Sequence, residues 1–152
     1  MSKLPLIGRI TFALPFLIFG LFHLVNIQGM APIISFMPAP AFWIVFSGLA
    51  LMAAAVSIMT KKFAVYALFG LALELLLFNI LLHIPGMLME PAEIYKHALS
   101  SRGITGEAAP GIQAFFGAQL KQQQLIVTFM NFMLIGACLY MAGVFRKEES
   151  AN

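Results

Sequence analysis

The apolar run at residues 63–84 constrains this chain more than any other feature of its sequence. It is about twenty residues long, which is enough for a helix to cross the hydrocarbon core of a bilayer. An acid, an amide and an imidazole stand inside it, namely Glu74, Asn79 and His83. Polar side chains are costly at that depth, so each of them needs a partner or a function.

The composition places the whole chain in the membrane class. Of its 152 residues, 61% are hydrophobic and 10% are charged, whereas soluble domains carry about 25% charged residues. The mean hydropathy is +0.94. The net charge of +3 is small, no basic cluster resembles a nucleic-acid-binding surface, and no nucleic-acid partner is expected. The length suits one membrane domain covering residues 1–152.

Four apolar segments are long enough to span the membrane, at about residues 6–27, 41–59, 63–84 and 123–144. Pro40 suits the first turn of the second helix. The short connection at residues 60–62 makes the second and third helices antiparallel neighbours. The sequence therefore predicts an all-α fold, a four-helix transmembrane bundle in contact with the lipid bilayer.

Basic residues set the expected orientation of the bundle. With four spans, both termini lie on one side, and that side carries six Lys and Arg residues against three on the other. Because cytoplasmic segments are enriched in Lys and Arg, we expect both termini to be cytoplasmic. We expect a multi-pass protein of the bacterial inner membrane.

The external loop at residues 85–121 is the one long hydrophilic region. The third span is expected to stop at Pro85 and Gly86. Residues 90–99 resemble a short helix with Pro91 in its first turn. Residues 112–124 also look helical and can run directly into the fourth span. The loop is therefore expected to contain one or two short helices.

Depth along the helices pairs the intramembrane acid with an amide. At about 1.5 Å per residue, Glu74 lies roughly 15 Å from the external boundary and Asn131 roughly 9–14 Å. The two side chains can meet, so Asn131 is the expected partner of Glu74. One interpretation is a protonated acid that only fixes helix packing, and the other is a group that carries a proton or binds a ligand.

A second polar group is expected near the external boundary. His23, Asn26, Asn79 and His83 all lie within about 8 Å of it. Asn79 and His83 share one helix face, while Glu74 lies about 180° away from His83. We expect Asn79 and His83 to face His23 and Asn26 as a candidate ligand site. Such a site could hydrogen-bond a quinone or serve only structural contacts.

Metal and haem chemistry have little support in the sequence. His23 and His83 come from different helices and could in principle ligate a haem, but no local spacing motif accompanies them. No metal site is predicted. Cys138 is the single cysteine, which excludes a thiol–disulfide relay within one chain.

Short motifs recur along the first half of the chain. Arg9 begins the first helix, and Gly20 is followed three residues later by His23. A Met-Pro-x-Pro linker at residues 37–40 precedes a second helix rich in glycine and alanine. In these features the chain resembles the DoxX-like family of small four-helix membrane proteins, over about its first 85 residues and the fourth span. Many members have a glutamate after the glycine of the second helix, where this chain has Leu49-Ala50-Leu51.

The resemblance implies a function linked to quinone redox chemistry, because the family takes its name from subunits associated with thiosulfate:quinone oxidoreduction. We expect an accessory or quinone-proximal subunit of a redox-linked membrane complex that is not catalytic on its own. Other membrane subunits, or further copies of the chain, are its expected partners. The alternatives are a purely structural or assembly protein without a ligand, and a small haem- or quinone-binding oxidoreductase.

Overall fold

The computed structural model describes residues 3–34, 37–100, 102–104 and 108–150. This part of the chain contains helices and no strand. Its α-helices are α1 Leu4–Val25, α2 Ile27–Met30, α3 Pro40–Thr60, α4 Ala64–Phe78, α5 Ile84–Leu88, α6 Pro91–Ser100 and α7 Pro110–Ser150. A 3-10 turn, Ala31–Ile34, follows α2, and a π-helical turn, Asn79–His83, joins α4 to α5.

Four helical segments are long and apolar enough to cross a membrane: Leu4–Val25, Pro40–Thr60, Ala64–Leu88 and Pro110–Ser150. Many large apolar side chains on them remain exposed on the bundle surface, among them Phe19, Phe42 and Phe129. A broad exposed apolar surface of this kind is typical of contact with lipid. The predicted all-α bundle of four transmembrane helices is confirmed, and its orientation stays a prediction.

The four long helices share one core. Helix α1 packs on α3, α3 on α4, and α4 on α7. The buried apolar side chains of α3 recur every three or four residues, as a helix face in a bundle requires. Ile44, Leu51, Ala54, Ala55 and Ile58 form this face. Most of this face packs with buried residues of the other three helices, so the four helices share the core between them.

Helices α1 and α3 cross where two glycines meet. A Cβ atom added to Gly20 would lie 2.6 Å from the carbonyl oxygen of Gly48, and one added to Gly48 would lie 2.9 Å from that of Gly20. Real Cβ atoms do not approach so closely, and small residues are what allow membrane helices to pack backbone to backbone. The crossing therefore depends on both glycines.

The third transmembrane helix does not stop at Pro85, so that prediction is wrong. The N–H of Ile84 bonds to the carbonyl of Asn79, five residues back, and the helix continues to Leu88. Proline lacks the N–H that a regular helix would use and clashes with the carbonyl four residues earlier. A wider π-helical turn just before Pro85 accommodates it, as such bulges do inside α-helices.

The fourth span extends well beyond the membrane. Helix α7 has 41 residues and is about 60 Å long, roughly twice the hydrocarbon thickness. Its start at Pro110 agrees with the expected helical run into the last span. Helix α6 folds back on it, with Ile94 buried and Tyr95 stacked on Phe116. Between the third and fourth spans the predicted loop contains the short helix α6. Residues 101 and 105–107 of that loop lie outside the described residues.

Candidate functional site

Two amides join α4 to α7 inside the membrane. Asn79 is fully buried, and its Nδ2 donates a hydrogen bond to the backbone carbonyl of Thr128 at 3.1 Å. Asn131 donates from Nδ2 to Oδ1 of Asn79 at 2.9 Å. Because unpaired polar groups are costly where water is absent, this pairing satisfies Asn79 and connects the two helices.

His83 lies at the other end of the π-helical turn and also bonds to α7. Its Nδ1 is 2.7 Å from Oε1 of Gln124. An amide oxygen only accepts hydrogen bonds, so Nδ1 is the donor in this bond. Asn79 and His83 thus point to the same neighbouring helix, one helical turn apart.

Glu74 faces the opposite neighbour. The hydroxyl of Ser47 on α3 donates a hydrogen bond to its Oε1. The second carboxyl oxygen, Oε2, has no hydrogen-bond partner in the part of the chain that the structure describes. The predicted contact of Glu74 with Asn131 is therefore wrong, since each of them bonds to a different residue. Glu74 and Asn79 thus lie on different faces of the third transmembrane helix, one in contact with α3 and the other with α7.

The sequence contained a signal for the Ser47 contact. Ser47 and Glu74 lie at nearly equal distances along the chain from Lys61, in the short turn between α3 and α4. Antiparallel helices joined by a tight turn bring such equidistant residues to the same level. Depth in the membrane made Asn131 the expected partner of Glu74. Depth does not indicate which helix packs against which side of the third transmembrane helix.

His23 uses one ring nitrogen within its own helix. Its Nδ1 lies 2.8 Å from the carbonyl oxygen of Phe19, and the residue is 95% buried. Because that carbonyl accepts, Nδ1 is the donor in this bond. Asn26 ends α1, is half-buried, and its side chain makes no capping hydrogen bond.

The expected joint site of four residues is not assembled through hydrogen bonds. Asn79 and His83 bond to α7, whereas His23 bonds to its own helix, and no hydrogen bond between described residues links the two pairs. The order of packing explains this result. The π-helical turn that carries Asn79 and His83 packs on α7, while α1 packs on α3.

The structure instead brings His23 and Glu74 to one turn of α3. A Cβ atom added to Gly48 would lie 2.9 Å from Cβ of His23, and the preceding residue, Ser47, bonds to Glu74. The missing side chain of Gly48 makes room for the histidine. This cluster, which we call the α3 polar cluster, consists of His23, Ser47, Gly48 and Glu74.

The α3 polar cluster can form hydrogen bonds with a ligand. Nε2 of His23 makes no hydrogen bond to a described residue, and neither does Oε2 of Glu74. A carboxyl group accepts hydrogen bonds when ionised and donates one when protonated, so the pair can bond to the carbonyl oxygens of a quinone or to the hydroxyls of a quinol. Within the described residues, no group of three or more His, Cys, Asp or Glu side chains could hold a metal ion.

Comparison of the chain with protein-family models, with curated proteins and with solved structures finds no match.

Proposed function

We propose that this small integral membrane protein is a non-catalytic accessory subunit of a redox-linked membrane complex, and that quinone from the membrane pool binds beside it. The observation that carries the ligand part is the α3 polar cluster. It brings two polar groups, the imidazole of His23 and the carboxyl group of Glu74, to one turn of α3, and each has an atom without a hydrogen-bond partner among the described residues. The resemblance to the DoxX-like family supports the redox linkage.

Burial of the cluster supports a lipid-soluble ligand. His23 is almost fully buried and Glu74 is half-buried, and both belong to membrane-spanning helices. A quinone or quinol reaches such a depth from within the bilayer, and its oxygens can form hydrogen bonds with both side chains. By contrast, Asn79 is fully buried and already bonded to α7, so it contributes to packing rather than to ligand contact.

Purification in a gentle detergent from the native host tests both parts. Solvent extraction of the purified sample is expected to yield quinone, and mass spectrometry is expected to identify redox subunits as partners. Glu74→Gln and His23→Gln should reduce the extracted quinone, whereas His97→Gln, on the extramembrane helix α6, should not. A quinone-free extract, together with no binding of added quinone or quinol, would refute the ligand part.

A structural or assembly role is the second candidate, and the α4–α7 contacts favour it. The Asn79–Asn131 and His83–Gln124 bonds satisfy these side chains without any ligand. This role predicts that Glu74→Gln and His83→Gln fold normally and leave a partner complex both intact and active. A complex that assembles but loses electron transfer would contradict it and favour the accessory redox role.

A further inference from the structure

A groove between α1 and α7 opens at the end of the bundle that carries both termini. Its volume is about 640 Å³, within the usual range for ligand pockets. Apolar side chains from both helices form most of its walls, including Phe12 and Met141. Because both helices span the membrane, a lipid can enter the groove laterally.

Arg9 brings an unpaired donor into this groove. Its Nε atom is buried and has no hydrogen-bond partner among the described residues. Buried donors in native structures are nearly always satisfied by protein, water or a bound ion. A guanidinium group has the planar donor geometry that phosphate and carboxylate oxygens fit. The groove therefore contains a place for an anionic oxygen.

The remaining charges at the groove keep it positive. Lys61 forms an ion pair with Glu148, at 2.6 Å, and its ammonium lies 5.7 Å from the ring centre of Phe145. This pair is close to neutral, and Arg9, the other charged side chain that lines the groove, forms no ion pair with a described residue. Charge and shape together suit a ligand with an anionic head and a long apolar tail.

We propose that this groove binds one anionic phospholipid, with its phosphate on Arg9 and an acyl chain along the apolar walls between α1 and α7. Basic sites between transmembrane helices bind anionic headgroups in this way. The site lies at the opposite end of α1 from His23, and the proposal does not depend on the redox function.

Native mass spectrometry of the full chain in detergent tests the proposal. Phosphatidylglycerol and phosphatidylcholine with identical acyl chains are compared as probes. Adducts with phosphatidylglycerol are expected at about tenfold lower lipid concentration than adducts with phosphatidylcholine. This ratio corresponds to a difference of about 1.4 kcal/mol in binding free energy. Arg9→Gln should abolish this preference, and Arg9→Lys should retain part of it.

Arg146→Gln is the matched control, because Arg146 is exposed at the same end of the bundle and does not line the groove. It should leave the preference unchanged. Val144→Trp fills the groove from its exposed wall while keeping Arg9, and it should also remove the adducts. It keeps the test decisive if Arg9→Gln does not fold.

Three results would overturn the proposal. Equal binding of the two lipids would show that charge plays no part. Competition by inorganic phosphate at the affinity of the lipid would show that the acyl chain plays no part. A dimer that replaces the lipid adduct would assign the groove to a second copy of the chain.

Discussion

Asn131 donates a hydrogen bond to the side-chain oxygen of Asn79 across the α4–α7 interface, and Asn79 in turn donates to the backbone of α7. The Asn79 side chain thus accepts one hydrogen bond from α7 and donates another to it. Neither helix could slide past the other by a residue without breaking both bonds. We infer that the pair sets the register of the last two transmembrane helices.

Replacing either amide should therefore weaken the bundle. Asn79→Leu has a similar volume but leaves Nδ2 of Asn131 without its acceptor, and should lower the free energy of unfolding by about 1–2 kcal/mol. The double variant Asn79→Leu/Asn131→Leu should lose less than the sum of the single variants, with a coupling of at least about 0.5 kcal/mol. Reversible unfolding in mixed micelles measures these values.

Gln123→Leu serves as the control for that cycle, since Gln123 is an exposed amide of α7. Its replacement should change the free energy of unfolding by less than about 0.5 kcal/mol. Strict additivity of Asn79→Leu and Asn131→Leu would contradict the proposed coupling.

Because Gly20 lies at the crossing of α1 and α3, its replacement by alanine should destabilise the protein. In Gly20→Ala the new Cβ would meet the carbonyl oxygen of Gly48 at 2.6 Å, so the helices must separate, at a cost of about 1–3 kcal/mol. Gly70→Ala adds the same methyl group where no atom lies within 4 Å. It should be neutral or stabilising by up to about 1 kcal/mol. Equal effects of the two substitutions would mean that α1 and α3 do not cross at these glycines.

The predicted orientation can be tested by cysteine labelling. Cys138 is fully buried, so the wild type should not react with a membrane-impermeant maleimide, and Cys138→Ala provides a clean background. In that background Glu93→Cys, on exposed α6, should be labelled in intact cells. Ser150→Cys, at the exposed end of α7, should be labelled only after the membrane is permeabilised. The reverse pattern would place both termini outside the cytoplasm.

The helices of this fold could be predicted from the sequence more accurately than the packing of one helix against another. Hydropathy and proline positions predicted the four spans and the start of α3 at Pro40, because a membrane requires long apolar helices with internally satisfied backbones. Helical angles predicted that Asn79 and His83 share a face. They could not predict that this face meets α7, because an angle around one helix does not identify the helix beside it.

The π-helical turn and the α3 polar cluster were missed for two different reasons. Pro85 is compatible both with the end of a helix and with a bulge before it, and tertiary packing decides between them. The closeness of His23 to α3 depends on a missing side chain, at Gly48. A search of the sequence for polar residues does not detect Gly48, although the absence of a side chain there allows His23 to approach α3.

Glu74 and Ser47 give the prediction that best separates packing from function. In Glu74→Gln the amide oxygen still accepts the hydrogen bond of Ser47, so the free energy of unfolding should change by less than about 0.5 kcal/mol. In Glu74→Leu the Ser47 hydroxyl loses this acceptor, and about 1 kcal/mol should be lost. Ser47→Ala is the reciprocal control, and its change in the free energy of unfolding should be closer to that of Glu74→Leu than to that of Glu74→Gln.

If Glu74→Gln destabilises the protein as much as Glu74→Leu, the stability of the fold depends on the carboxyl group itself. If Glu74→Gln folds normally but loses quinone, the acid belongs to the ligand site.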